Sequence, residues 1–129
     1  LLQATASANA AIAGLLSIAA WPDAPRPVAA SDLLPERALA GDLLARRLLV
    51  DYIAHALSGS VRETVEAFLS TGTIEGASRA LFVHANTVRY RLRRAAELTG
   101  QVLTSPRGAF VVRMALALER LESPHPRIL

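Results

Sequence analysis

The chain has 129 residues, 14 basic and 11 acidic side chains for a formal charge of +3, and no cysteine. That is room for about one domain, and the missing thiols exclude disulfides and thiolate metal sites while fitting a reducing compartment. Apolar residues make up 52% and aromatics only 5%; Ala and Leu dominate and alternating β-branched runs are scarce, so an all-α fold, a helical bundle, is expected.

In chain order, a first helix is expected over residues 4–20, with Ala8, Ile12, Leu15, Leu16 and Ala19 on one stripe. Gln3, Thr5, Ser7, Asn9 and Ser17 make it too polar for a membrane span, and no basic region precedes it as in a signal peptide. A soluble, cytoplasmic protein with no membrane partner is expected. Trp21-Pro22 ends the helix, since the residue before proline is pushed out of the α region. Residues 22–30, PDAPRPVAA, read as a connector with a candidate strand at Val28–Ala30.

Pro35 and Glu36 suit the first turn of a short helix that Gly41 ends. Asp42 is placed to cap the next helix, 43–57. Leu49, Val50, Ile53 and Leu57 form its core face, and Leu44, Leu48 and Tyr52 form a second apolar face. That second face is covered within the chain, by an upstream domain or by a second subunit. Ser60 and Glu63 have the spacing of a capping box opening helix 61–70, whose Val61, Val65, Phe68 and Leu69 face inward. Thr71-Gly72 closes that helix and Thr73 caps the next, which runs to about Leu81. Phe82-Val83-His84 forms a corner before a helix over 85–99, closed by Gly100. Ser105-Pro106 starts the last helix, 106–122, with Phe110, Val111, Met114, Leu118 and Leu121 on the core face and Val112 and Leu116 opposite and exposed. Residues 123–129 are expected to fray.

Charge is distributed unevenly along this order. Residues 76–96 hold five arginines and no acid, leaving nine arginines against eleven acids elsewhere. A cationic amphipathic helix behind a short helix and a tight corner is the footprint of a helix-turn-helix reader of double-stranded DNA. Val88, Leu92 and Ala95 make the inner stripe, with Val83 plugging the corner. His84, Asn86, Arg89, Tyr90 and Arg93 then project outward, where Arg can grip guanine and Asn adenine, and Thr87 can meet a thymine methyl or a phosphate. Arg91 and Arg94 point sideways to phosphates, and the hydroxyls of Thr71 and Thr73 offer neutral phosphate contacts. His84 either caps its helix or touches DNA, and Tyr90 is either half-buried or a contact. The other reading of the arginine face is a helical interaction or oligomerisation module that docks an acidic protein. His55, His84 and His125 are too scattered to hold a metal. Without paired carboxylates, a thiol or a phosphate-binding glycine loop, neither an enzyme nor a cofactor site is expected.

The string FVHANTVRYRLRRAAELTG, preceded by VRETVEAFLSTGTIEGASRAL and followed by an Ala/Leu-rich helix, resembles the C-terminal helix-turn-helix domain of PucR/CdaR-type bacterial transcriptional regulators. The resemblance covers roughly residues 45–122 and is most specific at His84, Asn86-Thr87 and Arg89 to Leu92. A weaker likeness to the Fis-type DNA-binding domain implies the same helix geometry and use as a homodimer on two half-sites. Two positions depart from the family pattern: Ala85 replaces an arginine, and Ser78 replaces a small alanine at the contact between the two helices. In that family the domain ends a longer protein that carries a sensor domain, and the chain here opens Leu-Leu rather than Met. The resemblance thus implies residues 1–41 as the tail and connector of an upstream regulatory domain and 42–129 as the DNA-binding domain.

Overall fold

A computed structural model describes residues 17–123, and every regular element among them is helical. The helix expected over 4–20 lies outside the described residues as far as residue 16, and the tail lies outside them from 124. A 3-10 turn at Ile18–Ala20 leads into the proline-rich connector. No strand forms at Val28–Ala30: Ala30 opens a second 3-10 turn, Ala30–Leu33, and the Ala29 amide donates to the Asp32 carboxylate at 3.2 Å. That turn runs into α1, Leu34–Leu39, with Pro35 in its first turn.

Helix α2, Leu43–Leu49, is capped by Asp42, which accepts from the Leu44 and Ala45 amides at 3.0 and 3.2 Å. The same carboxylate holds the nearly buried Arg37 guanidinium at 2.8 Å. Burial pushes the Asp42 carboxyl up, but Arg37 and the two amides outweigh it and hold the group below its ordinary value. The single α-helix expected over 43–57 is not continuous, because Val50–Ala54 is wound as a π-helix. The wider turn carries Leu49, Val50, Ile53, Ala54 and Leu57 into one core. Of the second apolar face, Leu44 and Tyr52 are exposed and Leu48 is half-buried.

Helix α3, Gly59–Thr71, starts earlier than the sequence indicates, and the Ser60–Glu63 capping box does not form. Gly59, at φ +57, lets the chain reverse within one residue, so Ser58 takes the cap position and Ser60 is already inside the first turn. The Ser60 carbonyl accepts the buried Thr64 hydroxyl at 2.7 Å instead. Helices α4, Ile74–Leu81, and α5, Ala85–Thr99, follow, and α6 spans Pro106–Glu122 with Ser105 accepting from the Gly108 amide at 2.9 Å.

The exposure expected for Val112 and Leu116 is overturned: they are 0% and 2% exposed, whereas Leu121 is 79% exposed. Helix α6 packs on α1, α2 and the π-helix. It also reaches α3 through an Arg62–Glu119 ion pair and an Arg113 hydrogen bond to the Leu69 carbonyl. Neighbours on both sides bury more of its circumference than one amphipathic stripe would require. Its buried residues Val111, Val112, Ala115, Leu116 and Leu118 join Ala38, Leu49, Val65, Val88 and Leu92 in a single cluster.

Candidate nucleic-acid interface

Thr73 starts α4 by accepting from the Gly76 amide at 2.9 Å. Gly76 itself is demanded by space, since a Cβ there would stand 2.7–2.8 Å from the Thr71 and Thr73 side chains. Helix α4 ends at Phe82, a left-handed residue with φ +56. The carbonyl of Ser78 accepts the amides of Phe82 and Val83, and the Ser78 hydroxyl donates to the Val83 carbonyl at 2.6 Å. Ser78 therefore ties the corner from both directions. This is a role that a comparison of side-chain sizes does not reveal.

Helix α5 then leaves at a set angle, pinned from behind by Val88, Leu92 and Ala95, all buried as expected. Val83 packs half-buried on the same core. His84 caps α5: its Nδ1 accepts from the Asn86 amide at 3.0 Å. That bond requires Nδ1 to be unprotonated, so a neutral ring carries its proton on Nε2, where it can be donated outward. Capping and contacting a ligand are thus compatible.

Asn86, Arg89, Tyr90 and Arg93 are exposed on the opposite side of the helix, with Tyr90 62% exposed rather than half-buried. The Asn86 side-chain oxygen accepts from Arg89 at 2.9 Å, which couples the two and orients the guanidinium. Thr87 is half-buried beside them. The two residues expected to flank this face differ in surroundings. Arg94 is exposed and pairs with Glu97 at 3.0 Å, whereas Arg91 is half-buried and leans back on Thr64 of α3 at 3.4 Å. Thr71 is exposed but its hydroxyl donates to the Ala67 carbonyl at 2.8 Å, and the Thr73 hydroxyl is occupied as a cap acceptor.

Ion pairing on the helix pair differs from the rest of the chain in degree, since Arg46 and Arg113 also bond to carbonyls rather than acids and Arg94 pairs with Glu97. Arg37, Arg47, Arg62 and Arg107 each face an acid. On α4 and α5, Arg79, Arg89, Arg91 and Arg93 have no acidic partner among the described residues. Of these, Arg89 and Arg93 stand on the exposed face of α5, where their positive field suits a polyanion. Among the described residues, no group of acids and histidines could hold a metal and no helix is long and apolar enough to cross a membrane.

A short capped helix, a fixed left-handed corner and a second helix with a buried back and a cationic front define a helix-turn-helix DNA-binding unit. Residues 61–118 match the PucR C-terminal helix-turn-helix domain. This helical unit is a helix-turn-helix domain of the PucR type. An uncharacterised protein of Mycobacterium tuberculosis is 45% identical over 130 residues, covering 98% of this chain and 31% of that protein. The purine catabolism regulatory protein of Bacillus subtilis is 38% identical over 65 residues, 50% of this chain and 12% of the relative. The crystal structure of a regulator of polyketide synthase expression from Bifidobacterium adolescentis superposes with a TM-score of 0.82 at 42% identity, covering 88% of this chain and 50% of that one. The chain thus spans about a third of the length of its mycobacterial relative.

Proposed function

We propose that this chain is the DNA-binding end of a longer, effector-responsive transcriptional regulator that reads a specific duplex sequence in the cytoplasm as a homodimer. The observation that carries this reading is the exposed face of α5, free of acids as far as residue 96, in which Asn86, Arg89, Tyr90 and Arg93 stand opposite the buried Val88, Leu92 and Ala95. In this proposal Asn86, Thr87, Arg89, Tyr90 and Arg93 meet base edges in the major groove. His84 adds a donor from Nε2. Arg91, Arg94, Thr71 and Thr73 lie toward the phosphates. Two copies would occupy half-sites about one helical turn apart, roughly 34–36 Å between centres.

Residues 1–41 are assigned in the same proposal to the end of an upstream sensor region. The described part of this segment, residues 17–41, meets the rest of the chain at several points, among them Arg107, whose guanidinium pairs with the buried Glu36 at 2.6 Å, donates to the Asp32 carbonyl at 2.9 Å and lies 3.6 Å from the centre of the Trp21 ring. A contact of this kind offers a mechanical route from a sensor to the reader. Mobility-shift titration against the promoter region beside its own gene tests the DNA reading. Arg89→Ala and Arg93→Ala should each weaken specific binding by roughly 1–3 kcal/mol, with a steep salt dependence in the parent chain. Binding no tighter than to random duplex, and unchanged by either substitution, sinks the proposal.

A further inference from the structure

Phe82 stands out as the one residue of the helix pair that is costly to the folded chain twice over. Its φ of +56 lies in the left-handed region, which a bulky side chain enters only with strain, and it is the sole non-glycine residue with positive φ among those described. Its ring is also 95% exposed, so it returns nothing to the core. Glycine would serve the corner better on both counts. The corner does not wobble around it, because Ser78 grips the Phe82 and Val83 amides and the Val83 carbonyl. The ring is therefore held out at a defined place by a scaffold that gains nothing from it.

That place is informative. Phe82 lies two residues before His84, the cap of α5, and three residues after the exposed, unpaired Arg79. No acid occurs between residues 76 and 96, so the segment that carries the ring is free of negative charge from the middle of α4 through the reading part of α5. An exposed apolar ring in an acid-free segment that holds five arginines suits a surface that alternates anionic phosphates with apolar sugar faces. We infer that Phe82 is a further DNA-contact residue, packing its ring on the deoxyribose backbone beside the bases read by the head of α5. The inference rests on the DNA-reading proposal above and adds a contact outside the α5 face.

The contact is sequence-independent and uncharged, which sets its signature. The experiment titrates the chain, Phe82→Gly, Phe82→Tyr and Arg93→Ala against a duplex enriched from a randomised pool by the parent chain and against an unselected duplex, at several salt concentrations. Phe82→Gly should melt no lower than the parent, yet bind both duplexes about tenfold more weakly with the salt slope unchanged, since no phosphate partner is lost. Phe82→Tyr, which keeps the ring, should stay within about threefold. Parent-like affinity of Phe82→Gly while Arg93→Ala binds weakly overturns the inference and leaves the DNA reading intact. A Phe82→Gly loss accompanied by a changed salt slope also overturns it, because the corner would then have moved the arginines. If no variant, Arg93→Ala included, alters binding, the underlying reading fails and the inference falls with it.

Discussion

Replacing Glu119 by Gln probes the tie that frames the helix pair. Arg62 at the start of α3 donates to both carboxylate oxygens of Glu119 near the end of α6, one of the bonds measuring 3.2 Å, across 57 positions of chain. The two side chains are 25% and 19% exposed, so the pair is neither a free surface contact nor a dry core one. Charged hydrogen bonds contribute about 1.5–3 kcal/mol, and exposed pairs about 0–1. Glu119→Gln removes the negative charge and one of the two acceptors, leaving Arg62 at most a neutral bond to the amide oxygen beside Glu66 at 3.2 Å and the Ala54 carbonyl at 3.5 Å. A loss of about 2 kcal/mol is expected, or about 10 °C in melting temperature for a domain of this size.

The pH dependence sharpens that test. Hydrogen bonding and charge from Arg62 hold the Glu119 carboxyl below its ordinary value of 4.5, against an opposing push from burial. A carboxylate whose folded pKa is depressed contributes stability that is complete above its unfolded pKa and is lost as pH falls through the folded one. The gap between parent and Glu119→Gln should therefore be full at neutral pH and close as acid is added below about 4.5. Urea unfolding followed by circular dichroism across that range measures it. Equal stability at neutral pH, or a gap that persists unchanged after the carboxylate is protonated, refutes the reasoning.

Two further substitutions test the reader itself. Ala85→Arg, at the first position of α5 and half-buried, should tighten duplex binding and raise the salt slope by about one unit if the new guanidinium reaches a phosphate, as read by titration at several salt concentrations. No gain in a folded variant would count against the docking pose. Leu92→Ala should cost about 2–3 kcal/mol in urea unfolding, the low end for a buried leucine. Leu92 also floors an open groove of about 280 Å³ with Ile74, Ala96 and Val102, which relieves part of the cavity cost.

The helix pair was legible in the chain because its signals are local. Thr73 and Gly100 mark helix ends by their own backbone chemistry, and the spacing of Val88, Leu92 and Ala95 follows the helical repeat whatever surrounds it. The accumulation of arginine between residues 76 and 96 needs no fold to be counted. What periodicity misjudged were places where several elements compete for one residue. Val112 and Leu116 became core because α6 has neighbours on both sides, and no pattern within α6 records that. The Ser60–Glu63 spacing fitted a cap, but Gly59 had already reversed the chain and carried Ser60 into the helix.

At the site, residue types and their phase on the helix were determined by the sequence alone: which side chains could face a groove, and that they carry positive charge. Their surroundings were decided only by tertiary structure. Arg91 and Arg93 are two residues apart and chemically identical, yet Arg91 leans on Thr64 of α3 while Arg93 stands free. Ser78 is a tolerated substitution by size and a corner tie by geometry, and Phe82 is an ordinary apolar residue in the sequence but an exposed, strained one in the fold. The physical reason is the range of the forces involved. Helix propensity, capping and net charge are written within a few residues, whereas the partner of a long side chain and the exposure of a ring depend on elements that only folding brings together.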